Sequence, residues 1–172
     1  MRMRTPLPFV LAGLQILAAG ETKAPEAAVL KAQFQKAHTA FAKAFDHKDL
    51  DGFMSHFTAD IAYQEKDGTK RDFAGLKTFM KGLMDCLEKT HKHVHTVHSV
   101  TVDGAEAHAK VSETWSFDIV DRISMFGPKD APHKIAGEEA YDETWVKDGN
   151  DWKVKATTMT QEKMMVDGKP AQ

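Results

Sequence analysis

Four of the chain's nine histidines fall within eight residues, HKHVHTVH at 91–98. Imidazoles this dense are the raw material of a metal site or a proton relay. In an extended strand His91, His93 and His95 share one face and His98 takes the other. From His91 to His95 is about 13 Å at strand rise, too far for all three to meet one ion. No ligand from a second element is in view, so no metal ligands are assigned. His98 travels with Val94, Val100 and Val102 on the apolar face, either as a hydrogen-bonded core residue or as a pocket residue. The other three then face outward, toward solvent or a subunit contact.

Two carboxylates have settings suited to acid/base work. Glu143 shares a strand face with Tyr141 and Trp145, and Glu113 lies between Val111 and Trp115. Aromatic and aliphatic neighbours disfavour the ionised form of a carboxyl. A carboxyl kept neutral donates a hydrogen bond to a developing oxyanion. The alternative is that both acids sit at a strand rim, paired to lysine or water. Glu65, in QEKDG beside a turn, reads as solvated. Trp115, Phe117, Trp145, Trp152, Met80 and Met84 form core or, around an open pocket, its apolar lining.

The elements that must hold these residues follow from periodicity. Leu30, Phe34, Ala37, Phe41 and Ala44-Phe45 recur at helical spacing, from Glu26 to about His47. Asp49 is placed to cap a second helix carrying Leu50, Phe53, Met54 and Phe57. Ile61 and Tyr63 alternate as a strand, and Asp67-Gly68 marks a hairpin turn. A third helix carries Leu76, Phe79-Met80, Leu83 and Leu87, with the single cysteine, Cys86, as a small core residue. After His91 the period becomes two. Strands are expected through Val102, through 107–117, through 141–145 and through 152–156, with a Gly/Pro-bearing loop at 123–136. Three helices interleaved with a hairpin, then four antiparallel strands, make an α+β domain with helices on one face of a curved sheet.

The first twenty residues differ from the rest. Arg2 and Arg4 precede an apolar run, Leu7 to Ala19, and the small residues Ala18-Ala19-Gly20. A secretory signal peptide over 1–20 is expected, then a linker over 21–25 and one domain over 26–172. The net charge is −2, which gives no nucleic-acid footprint. No nucleotide loop or nucleophile motif is present, so no cofactor is expected.

Several stretches resemble the NTF2-like superfamily, in its SnoaL-like and ketosteroid-isomerase-like branch. KDLDGFMSHFTADIAYQEKDG is similar to its second helix and first strand, SVTVDGAEAHAKVSETW to its central hairpin, and YDETWVKDGNDWKV to its final hairpin. The resemblance implies a cone: a sheet curled around a pocket, with helices closing the narrow end. Walking without gaps, the isomerases' general base falls on Glu65, their oxyanion-hole acid on Glu143 and their oxyanion-hole tyrosine on Phe41. Phe41 has no hydroxyl, which argues against steroid isomerisation; Tyr63, on the face of Ile61 and Glu65, is placed to replace that donor.

The expectation is therefore a secreted or periplasmic, cone-shaped NTF2-like protein that binds a small, largely apolar molecule. The resemblance adds a homodimer and acid/base chemistry of isomerase, dehydratase or cyclase type. Glu143, Glu65, Tyr63 and His98 are the catalytic candidates. Phe41, Met80, Met84, Glu113, Trp115, Phe117, Tyr141 and Trp145 are the ligand-binding candidates. The alternative is a non-catalytic module for ligand capture or assembly, with no nucleic acid and no membrane as partner.

Overall fold

The structure is a computed structural model that describes residues 24–171; the expected leader lies outside them. Helix α1 (Ala24–Asp46) forms where the apolar stripe predicts it. It buries Leu30, Phe34, Phe41 and Phe45, and with them His38. Helix α2 (Leu50–Met54) is capped by Asp49, whose carboxylate accepts from the Gly52 amide at 2.9 Å. A Cβ on Gly52 would lie 2.2 Å from the Asp49 carboxylate, so a larger residue there displaces the cap. Asp72 caps helix α3 (Phe73–Cys86) in the same way through the Gly75 amide. No helix among the described residues is long and apolar enough to cross a membrane.

The strands are β1 (Phe57–Gln64), β2 (Lys70–Arg71), β3 (Leu87–Asp103), β4 (Glu106–Val120), β5 (Pro132–Asp148), β6 (Asp151–Val166) and β7 (Lys169–Pro170). They form one sheet in the order β2-β1-β6-β5-β4-β3, with β7 against β6. All pairings are antiparallel except β1 with β6, which run parallel. The architecture is the expected α+β cone: a curved, unclosed sheet with three helices. Bulges supply the curvature, since an extra residue on one strand bends it and sharpens its twist. Register shifts fall at Thr90/Lys92 and Val97/Ser99 on β3, and opposite Ala140/Tyr141 and Thr144/Trp145 on β6.

Strand β3 is a sheet edge, and α1 covers it. The Gln35 amide donates to the His95 carbonyl at 2.9 Å and accepts from the Val97 amide at 3.0 Å. Lys31 donates to the His98 carbonyl at 2.9 Å. The loop between β4 and β5 spans 121–131, shorter than predicted, because Pro132 already opens β5. Asp121 organises it. The carboxylate is fully buried and accepts from the amides of Met125 (2.8 Å), Phe126 (2.7 Å) and Gly127 (3.1 Å).

Candidate functional site

The concave face encloses a cavity of about 430 Å³, within the range of small-molecule sites. One wall is aromatic and aliphatic, including Phe41, Phe53, Phe57, Leu76 and Met80. Ile123, Met125 and Phe126 bring the 121–131 loop to the same cavity. The other wall, from β3, β4, β5 and α1, is lined with titratable groups.

The histidines are turned the opposite way from the sequence expectation. His93 and His95 face the cavity, while Val94 and His98 are exposed. The cause is the β3 bulge at Val97/Ser99. The phase runs His93, His95, Val97 inward, then slips at His98 and resumes with Val100 and Val102. His98 is thus a bulge residue on the outer face, bonded to the Ser112 hydroxyl at 2.7 Å. His91 falls in the other bulge, exposed and paired to Asp118.

His93 lies between two carboxylates. Its Nδ1 donates to Asp46 at 2.8 Å and its Nε2 donates to Glu113 at 3.0 Å. Burial works against the His93 cation, but Glu113 and Asp46 overcome it and raise its pKa. Burial likewise raises the Glu113 pKa, yet His95, His93 and His38 outweigh it and hold that carboxyl below its ordinary value. Burial pushes His95 down to about 4, so its ring is neutral at physiological pH. Glu139 stands opposite Glu113 on β5. Burial, with the Glu113 charge, pushes Glu139 up to about 8, which keeps its proton at neutral pH. The Trp115 indole donates to Glu139 at 3.0 Å, and the Tyr141 hydroxyl, with one proton to give, lies within hydrogen-bond reach of both Glu139 and Glu113.

Deeper in the same wall, His38 Nε2 meets Glu143 Oε2 at 3.1 Å, with both residues buried. The Trp145 indole donates to the same oxygen at 2.8 Å. Trp145 is itself fixed by stacking on Phe34, with ring centroids 4.2 Å apart. An indole is only ever a donor, so Glu143 Oε2 accepts from Trp145. Glu139 is the carboxyl whose pKa burial raises.

Of the expected residues, Glu143, Tyr63, Glu65, Phe41, Met80, Glu113, Trp115, Phe117 and Tyr141 line the cavity. Trp145 and Met84 do not; both are buried behind the wall. Glu65 is tied to Arg71, with a 2.8 Å contact between Glu65 Oε1 and the guanidinium, which occupies the carboxylate that the resemblance marks as a base. Burial and the surrounding carboxylates raise the Tyr63 pKa, so it stays a neutral phenol. His98 is withdrawn from the site by the bulge. Sequence reasoning missed His38, Glu139 and Asp46. His38 was findable, because Phe34, His38, Phe41 and Phe45 follow the 4-3-4 spacing of one helix face. Glu139 was findable from its alternation with Tyr141 and Glu143.

Residues 28–158 match the SnoaL-like domain family. The chain belongs to the SnoaL-like family. Solved structures agree on the fold of this SnoaL-like chain. A candidate aromatic ring hydroxylase from Novosphingobium aromaticivorans aligns with TM-score 0.60 at 16% identity, over 78% of this chain and 92% of that one. A candidate scytalone dehydratase from the same organism aligns with TM-score 0.58 at 14% identity, over 78% and 87%. An NTF2-like protein from Cytophaga hutchinsonii aligns with TM-score 0.56 at 12% identity, over 74% and 93%. Among curated proteins none matches significantly. Within this SnoaL-like cone, the cavity joins an apolar wall to groups that accept a proton and groups that donate one.

Proposed function

We propose that the chain binds a small, largely apolar molecule in the cone and moves protons on it, as a dehydratase or isomerase. The buried His38–Glu143 pair in the cavity wall carries this reading. An imidazole oriented by a carboxylate is a proton acceptor with a fixed tautomer. Trp145 holds the carboxylate in place, and His38 Nδ1, buried with no hydrogen-bond partner among the described residues, is the nitrogen left to take a proton. On the same face of β5, protonated Glu139 is placed to supply a proton to a substrate oxygen. In a dehydration the pair takes the proton of a C–H bond. Glu139 protonates the departing hydroxyl, the C–O bond breaks, and water leaves as the double bond forms. Water loss is also what the candidate scytalone dehydratase is named for. The basic start and apolar run of residues 2–19 support export.

The test is a panel of hydroxylated and carbonyl-bearing aromatic and bicyclic compounds, followed by absorbance and mass spectrometry for water loss or a shifted double bond. The expected outcome is turnover that falls about 10²- to 10⁴-fold in His38→Gln and Glu143→Gln, with ligand affinity retained within tenfold. Ligand binding without turnover in the wild type, or full turnover in Glu143→Gln, refutes the catalytic reading.

A further inference from the structure

We propose that His93, His95 and Glu113 form a site for one divalent first-row transition-metal ion, zinc or iron(II), with its remaining coordination positions open to the cavity. The three donor atoms lie within 4.8 Å of one another. His93 Nε2 is 3.0 Å from Glu113 Oε1, and His95 Nε2 is 3.8 Å from the same oxygen. Ligands at about 2.1 Å in tetrahedral array stand roughly 3.4 Å apart. The two separations to Glu113 straddle that value, and the His93 and His95 donors, within 4.8 Å, close on the ion by side-chain movement.

His95 is the residue that an ion pair leaves unexplained. Its side chain is 10% exposed, and 3.8 Å is too long for a hydrogen bond. Its Nδ1 is buried with no partner among the described residues. Its Nε2 faces the Glu113 carboxylate without a hydrogen bond to it, so that nitrogen is open to an ion. Register supplies the third ligand, which the sequence did not reveal. Glu113 on β4 stands directly opposite His95, so two adjacent strands deliver the set to one face.

The surroundings are those of a ligand set with outer support. Asp46 takes the Nδ1–H of His93 and is itself fixed by the Thr90 hydroxyl at 2.9 Å. Such a carboxylate sets the ring and leaves Nε2 for the metal. The second Glu113 oxygen lies within reach of the Tyr141 hydroxyl, at 3.3 Å. Gln35 clamps the His95 carbonyl, and the His38 ring stacks on His95 at 5.1 Å. Two imidazoles and one carboxylate with open positions, His93 giving up its Nε2 proton as the ion enters, is the donor set of catalytic zinc and non-haem iron(II) centres. The cavity offers an ion there as an acid for a ligand oxygen.

The test uses tag-free, chelator-stripped protein titrated with Zn²⁺ and Co²⁺, by calorimetry and by the visible absorption of cobalt. One ion per chain is expected. Affinity should fall at least a hundredfold in Glu113→Gln and in His95→Gln, and about 10- to 100-fold in Asp46→Asn. His91→Gln and His98→Gln should match the wild type. No saturable one-to-one binding overturns the proposal, as does binding that the Glu113 and His95 variants leave within threefold. Anomalous diffraction from zinc-loaded wild-type crystals is independent of any variant's folding; density away from these three side chains overturns the proposal too. Metal affinity unchanged in His38→Gln separates this site from the proton-transfer pair.

Discussion

Replacing Asp121 with asparagine tests whether the cavity's 121–131 loop is held by one buried charge. The wild-type carboxylate takes three backbone amides, one on Oδ1 and two on Oδ2. Asparagine keeps one carbonyl oxygen, so its NH₂ must face either one or two of those donors. Its better orientation turns the oxygen to Phe126 and Gly127, so one charge-assisted bond is lost at about 1.5–3 kcal/mol and the Met125 amide, left facing the NH₂ without an acceptor, costs about 1–3 kcal/mol more. Relief from burying a charge returns part of this, leaving a cost of about 2–4 kcal/mol. In a domain of this size that lowers Tm by about 5–15 °C. Acid titration gives a second signature. Burial raises the Asp121 pKa, but the amides of Phe126, Met125 and Gly127, with His133 nearby, more than offset it and hold it below the ordinary value. A depressed carboxyl stabilises the fold above its unfolded pKa of about 3.9 and loses that contribution as pH falls through the folded value. Wild type should therefore show a steeper acid limb below about pH 4 than Asp121→Asn. Thermal melts by circular dichroism from pH 7 to pH 2 read both effects. A Tm within 2 °C of wild type at neutral pH, together with parallel acid limbs, would refute the reasoning.

Gly137→Ala should cost about 1–3 kcal/mol, because a Cβ there meets Trp115 Cζ2 at 2.4 Å and the Lys163 carbonyl at 3.0 Å. Displacement of Trp115 should break its bond to Glu139 and alter near-ultraviolet circular dichroism; an unchanged spectrum and Tm would show that the strands spread freely. Intact-mass measurement of protein from the native host's periplasm should find a chain beginning near Glu21, and full-length soluble protein in its cytoplasm would contradict export.

The long helix, the α+β order and the inward faces of β4 and β5 were legible because their periods run unbroken. Val111, Glu113, Trp115 and Phe117 keep a strict alternation, as do Tyr141, Glu143 and Trp145. Strand β3 was misread because alternation has no memory of an inserted residue. Each bulge reverses the phase, and the Val100–Val102 end implied the wrong face for His93 and His95. Strand β6 slips likewise, so Val154 and Thr157 are both buried. His38 was lost for a different reason: a polar residue on an apolar stripe reads as an interruption until its partner, Glu143, is known from tertiary packing. The parallel pairing of β1 with β6 links segments about ninety residues apart, which no local pattern encodes.

The clamp of Gln35 on β3 also governs how copies of this chain meet. An edge strand with free amides and carbonyls is a template for another molecule's strand. Here one glutamine answers a donor and an acceptor on that edge, and Lys31 answers a further carbonyl. At the opposite border β2 is only two residues long and carries Arg71, ion-paired to Glu65. With both margins of the sheet blunted, edge-to-edge growth into ribbons is disfavoured.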